Sequence, residues 1–358
     1  MRRRSTQTDG THDRSRYLGI PRPKTINYFS VDEDKNIIPD SSSIKYFHPS
    51  RSNNVAFDLN RGMDLIEADG NFLSFADSPG IETTLKWIVA NHEKIKASSG
   101  DRMLQPNFVS TLGILTRFMG APYAQKDRWQ LLAGKFEGNI YLRSIRSKSN
   151  RDEAKFGYWG HKFQNYMVSE CPDEAPQPDE KISRHEEFRY VYQQKFSKHS
   201  VLYTGVRKAV LSKKLLEDPL LIDNLEFIDL RTHKKIVYQT QEKSLKMYKF
   251  LAWWANAFLT NDVKVLCGFR DDNGIVNELK TYEIEELAQM SKKFWHPEVC
   301  LKACQTLLSE IAEIVINDCD ETIYELTKVD KENFDVRELK PSEKIAVVPE
   351  WYKKAMKQ

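Results

Sequence analysis

Residues 225–274 read LEFIDLRTHKKIVYQTQEKSLKMYKFLAWWANAFLTNDVKVLCGFRDDNG, and this stretch decides the fold class. Leu225, Phe227 and Leu230 stand apolar around acids, a short strand pattern. Residues 263–269 form a compact apolar run closed by Asp272-Asn273-Gly274, a turn signal. Between them, Leu245, Tyr248, Ala252, Ala255 and Leu259 recur at steps of three and four, and Met247, Leu251, Trp254 and Phe258 make a second stripe. A helix apolar on two stripes is covered on more than one side. Strand, buried helix and strand predict a βαβ-like unit with a right-handed crossover. A third, mixed face carries Lys249, Trp253, Asn256 and Thr260. That face is placed to look over the strand ends, where α/β sheets usually hold their ligands.

The rest of the chain is compatible with one large domain around this unit. Of 358 residues, 40% are apolar and 29% charged, an ordinary globular balance. The net charge of +3 excludes a polycation, so any nucleic-acid contact must come from a local basic surface. Five cysteines at no framework spacing point to a reducing compartment. No apolar run approaches the ~20 residues that span a bilayer, and no signal peptide is expected. Residues 1–24 carry Arg2, Arg3, Arg4, Arg14, Arg16, Arg22 and Lys24 among small polar residues. They are expected to form a disordered basic tail, with the domain proper at 25–358.

Outward from the central unit, a helix is expected from Gly80 and another buried one over 108–119. Residues 129–136 and 140–145 read as a hairpin around Glu137-Gly138-Asn139, followed by a basic patch of Arg143, Arg146 and Lys148. Residues 152–170 read as a helix, 171–181 as an acidic, proline-rich surface loop, and 188–193 and 200–210 as strands. A strand passing into a helix is expected over 279–290, and a helix opens at Pro297. Cys300 and Cys304, at i and i+4, are a conceivable metal half-site, but no second pair stands at ligand spacing, which favours buried thiols.

No phosphate-binding glycine loop, zinc-protease motif or nucleophile elbow is present, and the histidines are scattered. A set of short segments carries more. Ala121-Pro122-Tyr123, Gly160-His161-Lys162-Phe163-Gln164, Leu202-Tyr203-Thr204-Gly205, Trp253-Trp254-Ala255-Asn256, Gly268-Phe269-Arg270, Leu279-Lys280-Thr281 and Trp351-Tyr352 stand in that order. Their order and spacing resemble the decapping exoribonuclease family, which removes aberrant RNA 5′ ends. The resemblance implies a mixed α/β fold: a single domain with two mixed β-sheets flanked by helices, distantly related to the restriction-nuclease core.

The departures from that pattern decide the chemistry. The family has an arginine near Leu112; an acid where Gln164 stands; Gly-Glu-x-Asp where this chain has Gly205-Val206-Arg207-Lys208; Glu-Leu-Lys where it has Asp229-Leu230-Arg231; and a glutamine at Asn256. Two-metal phosphoryl chemistry needs several carboxylates around Mg²⁺ or Mn²⁺. A lysine charge at about 4 Å and an effective dielectric of about 20 opposes a divalent ion by on the order of 8 kcal/mol. The resemblance therefore implies a pseudoenzyme: no catalytic residues, no metal and no cofactor.

The added cations raise the positive potential of the cleft. The candidate RNA contacts are Arg207, Lys208, Arg231, Lys249, Trp253 and Asn256, with a filled pocket and solvated rim charges as the competing reading. Degenerate members of this family act in the germline piRNA pathway. Likeness to them implies nuclear action on uncapped precursor transcripts and transcription termination, with single-stranded RNA 5′ ends and Rhino/Deadlock-type chromatin proteins as partners and no membrane. Two alternatives stand beside this: an active enzyme with rearranged acids, for which Asp152, Glu153, Asp223 and Glu226 are nearby in sequence, and a protein scaffold without RNA contact.

Overall fold

A computed structural model describes residues 16–17, 20–68, 72, 80–98, 100–124, 128–145, 150–183, 185–330, 333–342 and 346–357. The central unit forms as its periodicity demands. Strand Phe227–Lys234 pairs in parallel with Lys264–Arg270, from Ile228 opposite Lys264 to Lys234 opposite Arg270. Parallel neighbours need a crossover. It is built from helix Gln239–Ser244, a π turn over Leu245–Lys249, and helix Phe250–Thr260.

The π turn corrects one expectation. It inserts an extra residue, so stripes drawn at 3.6 residues per turn lose register across it. Leu245 is 4% exposed, yet Tyr248, assigned to the same stripe, is 51% exposed. Trp253, assigned to the mixed face, is 5% exposed and packs on Phe250 and Tyr282.

These strands belong to a seven-stranded mixed sheet. Its order is Val168–Ser169, Tyr46–Phe47, Ala209–Val210, Phe227–Lys234, Lys264–Arg270, Ile275–Glu283 and Asn54–Asp58. A nine-stranded mixed sheet runs Phe334–Leu339, Ile323–Lys328, Gln130–Phe136, Asn139–Ser144, Phe108–Val109, His199–Val206, Glu187–Phe196, Lys24–Val31 and Ile37–Ile38. The expected fold class is therefore observed. Helices Leu112–Gly120, Phe250–Thr260 and Pro297–Ile314 share the main core with the inner faces of both sheets. Helix Arg151–Met167 covers the other face of the smaller sheet, and Glu82–Ala90 with the C-terminal helix Glu350–Met356 covers that of the larger one.

Strand alternation explains the division. Phe227, Val265, Cys267 and Phe269 enter the central core, whereas Ile228, Leu230, Leu266 and Leu279 meet helix Arg151–Met167. Asp229 and Arg231 share the face of Phe227. The hairpin turns as expected, with Glu137 and Gly138 both at positive φ, 45° and 75°. A Cβ on Gly138 would lie 1.8 Å from the Asp101 carbonyl oxygen, so only glycine fits. Residues 108–119 do not form one helix: Phe108–Val109 is a strand between Asn139–Ser144 and His199–Val206, and the helix starts at Leu112.

The boundary at residue 24 also moves. Ile20–Pro21 pairs with Arg16–Tyr17, and the Gln194 amide donates to the Pro21 carbonyl at 2.9 Å. The Arg22 guanidinium lies 5.5 Å from the Phe258 ring centroid. Residues 1–15 of the expected tail, and Arg146 and Lys148 of the basic patch, lie outside the described residues. Cys300 and Cys304 are both buried. Among the described residues, no helix is long and apolar enough to cross a membrane.

Candidate functional site

Helix Arg151–Met167 starts at an Asn150 cap whose side chain accepts from the Glu153 amide at 2.9 Å. Its opposite end carries His161 and Gln164 to the mouth of an open cavity of about 440 Å³. The ends of strands His199–Val206 and Glu187–Phe196 close the floor with Val206, Lys208, Glu187 and Phe188. The acidic segment after residue 170 forms the rim, contributing Glu174 and Glu180. It is pinned to the helix by Lys162, 1% exposed, whose ammonium donates to the Pro178 carbonyl at 2.9 Å. Asp179 pairs with Arg61 on its outer side. Chain folding thus brings Gln164, Val206, Arg207 and Lys208 around one space.

The charges beneath that space are organised in pairs. Arg189 meets Glu187 at 2.6 Å, Arg231 meets Asp229 at 2.7 Å, and Arg207 meets Asp262 at 3.0 Å. Burial pushes the Glu187 carboxyl up, but Arg189 and Lys208 beside it outweigh this and hold it below the usual range. Asp262 goes the other way: burial raises it to about 6, although Arg207 opposes the rise. Lys208 is depressed by burial, with Glu187 and Asp229 pulling it back. Both carboxylates near Lys208 already face a guanidinium. Among the described residues, Lys208 has no carboxylate within ion-pair distance.

Several sequence candidates find other uses. Arg207 is 4% exposed, donates to the Thr260 carbonyl, and stacks 4.1 Å from the Phe227 centroid and 5.3 Å from that of Tyr190. It lines the cavity but is spent as an internal strut, its guanidinium committed to Asp262 and the Thr260 carbonyl. Trp253 is a core residue whose ring lies nearly perpendicular to that of His233. Arg231 is half-buried and tied to Asp229; Lys249 is exposed on the π turn, and Asn256 half-buried on the helix beyond it. Neither lines the cavity. Leu112 packs beside Gly205, where a Cβ would lie 3.4 Å from its methyl carbon, so an apolar contact occupies that position.

Glu187, Arg189 and the rim glutamates were missed in the sequence. Their one signal was Glu187 and Arg189 two apart at the head of a strand, hence on one face.

The donor set does not fit a divalent cation. Gln164 offers a neutral amide, Val206 nothing, and Lys208 a like charge. Asp229 is committed to Arg231. Five glutamates line the cavity, but among the described residues the one set of three ligand atoms within 4.8 Å of one another is Asp318, Cys319 and Asp320. That set lies on another turn, and its Asp320 is held by Lys353. Asp152, Glu153, Asp223 and Glu226 are exposed and do not line the cavity.

The chain matches the model of the RAI1-like PD-(D/E)XK nuclease family over residues 21–353. It is 25% identical to the decapping and exoribonuclease protein of Homo sapiens over 351 residues, 94% of this chain and 86% of that protein. It is 24% identical to the decapping and exoribonuclease protein Rai1 of Drosophila melanogaster over 358 residues, 95% of this chain and 93% of that one. Scheffersomyces stipitis Rai1 superposes with a TM-score of 0.74 at 17% identity, covering 94% of this chain and 97% of that one. Candida albicans Rai1 in complex with pU5 and Mn²⁺ superposes at 0.72 with 16% identity, covering 94% and 96%.

Proposed function

The chain belongs to the RAI1-like PD-(D/E)XK nuclease family of decapping exonucleases, and on that premise we propose that it is a catalytically inactive member that acts by binding in nuclear RNA metabolism. One observation carries the inactivity: Gln164, Val206 and Lys208 line the cavity where the family resemblance calls for acids, and Asp229 is taken by Arg231. A neutral amide and an ammonium do not hold a metal ion against a scissile phosphate. The proposal therefore includes no resident Mg²⁺ or Mn²⁺.

Single-stranded RNA 5′ ends are the ligand class, in keeping with the pU5 bound by Candida albicans Rai1. The pattern of loss resembles Cutoff, a piRNA-pathway protein, and this likeness extends the reading to uncapped piRNA precursors, protected or marked in a complex with Rhino/Deadlock-type chromatin proteins.

The test is release of nucleotide, cap or pyrophosphate from 5′-monophosphorylated, capped and 5′-triphosphorylated RNA with Mg²⁺ or Mn²⁺, beside an active relative. No release is expected. Metal-dependent release abolished by Asp229→Ala would replace this reading with that of an enzyme with rearranged acids. Absence of any RNA binding would leave the protein scaffold.

A further inference from the structure

A groove of about 670 Å³ lies elsewhere on the molecule and shares no lining residue with the cavity. One wall is helix Pro297–Ile314, where Val299, Ala303, Leu307 and Glu310 recur at steps of three and four. At 1.5 Å per residue that wall runs roughly 16 Å from Val299 to Glu310, the length of about five extended residues. The other wall includes Pro122, Tyr123, Trp129 and Phe334, so it is largely aromatic. Ala303 presents only a methyl group between Val299 and Leu307, which leaves room for a large side chain. Four charged residues line the groove, and three of them are otherwise engaged or solvated. Lys328 is buried and donates to the Ala124 carbonyl, Asp330 accepts from the Asn333 side chain at 3.0 and 3.1 Å, and Lys302 is exposed one turn after Glu298. Glu310 differs. It is half-buried, has no ion pair among the described residues, and its carboxyl is pushed up by burial and by the Glu313 carboxylate beside it. The nearby C-terminus of the helix adds negative potential.

We propose that this groove docks an extended segment of a partner protein, through one aromatic side chain seated against Ala303 and a lysine or arginine two residues beyond it that meets Glu310. The spacing follows from the wall. From Ala303 to Glu310 the helix rises about 10 Å; two residues of extended chain cover about 7 Å of this, and the basic side chain reaches the rest. Aromatic and arginine side chains are also the ones that anchor protein interfaces most strongly. A carboxylate without a counter-charge attracts such a cation and repels phosphates, so the groove selects protein over nucleic acid. This gives a chemistry to the protein partner, and it rests on the reading above only in that the chain acts by binding.

The test titrates the full chain into fluorescein-labelled Gly-Ser-Gly-Phe-Ser-Arg-Gly-Ser and reads anisotropy, beside one peptide with Glu in place of Arg and one with Ala in place of Phe. Exchanging attraction for repulsion at one partly exposed charge changes affinity by about fivefold to tenfold. The Arg peptide is expected to bind tighter than the Glu peptide by that factor, and the Ala peptide to lose most of its binding. Glu310→Lys, on the helix surface, should reverse the order of the Arg and Glu peptides. Ala303→Trp, which fills the groove, should abolish both, so the test survives if one variant fails to fold. Equal affinity for the Arg and Glu peptides, an order unmoved by Glu310→Lys, or no binding of any peptide overturns the proposal. Loss of single-stranded RNA binding in Ala303→Trp, with no peptide bound by the wild type, also overturns it and makes this face part of an RNA path. The nuclease assay above stands or fails independently of these titrations.

Discussion

Replacing Arg207 by methionine tests whether this cation serves the fold or a ligand. Methionine keeps most of the apolar contact with Phe227 and Tyr190 while removing the charge. The Asp262 carboxylate, 5% exposed and 3.0 Å from the guanidinium, is then left without its partner. Breaking a buried pair from one side costs about 3–5 kcal/mol, because the remaining charge stays desolvated. For a chain of this size each kcal/mol lowers Tm by about 2 °C, so a fall of roughly 6–10 °C is expected. The assay is thermal unfolding of Arg207→Met, Asp262→Leu and the double variant. The double variant should be more stable than the two single losses sum to, since no orphan charge remains. RNA affinity of the folded Arg207→Met protein, measured well below its Tm, should equal that of the wild type. A Tm within about 1 °C of the wild type together with weakened RNA binding would refute the reasoning and return Arg207 to the surface.

Asp262 also sets a pH dependence. With its folded value at about 6, above the ordinary carboxylate near 4, the folded state holds this proton more tightly than the unfolded chain does. Its contribution is therefore present at low pH and lost as pH rises towards about 6, and urea titrations of wild type against Asp262→Asn should diverge over that window. Gly268→Ala should cost about 1–3 kcal/mol, because the new Cβ would sit 2.5 Å from a carbon of the buried Phe163 ring; unchanged denaturation would show that the helix gives way. Of the five cysteines, Cys171 alone is half-exposed, and burial pushes the Cys300 and Cys319 thiols up to about 12. One fast-reacting thiol is thus expected in the native protein and five after denaturation; rapid native labelling of Cys300 would contradict the packing of helix Pro297–Ile314.

Local periodicity carried the elements. The strand at Phe227, the helix ending at Thr260 and the strand through Cys267 were legible because burial repeats every 2 or 3.6 residues along the chain itself. That Gln164, Val206 and Lys208 offer an amide, a methyl pair and an ammonium was equally legible, since a side chain's donor chemistry does not depend on the fold; reading them as lost acids came from the family resemblance. What periodicity does not carry is which charge meets which. Arg207 read as a ligand-facing cation because its partner Asp262 lies 55 residues away and its stacking ring, Phe227, 20 away. Trp253 read as cleft lining because the π turn that rotates the preceding turns is a hydrogen-bonding choice the apolar pattern does not reveal. Lys208 read as one of several cations. Only the tertiary structure, by satisfying Glu187 with Arg189 and Asp229 with Arg231, leaves it the one unmatched charge of that cluster. Charge pairing is a property of neighbours in space, and their identity is settled when the two sheets and helix Arg151–Met167 close around the cavity.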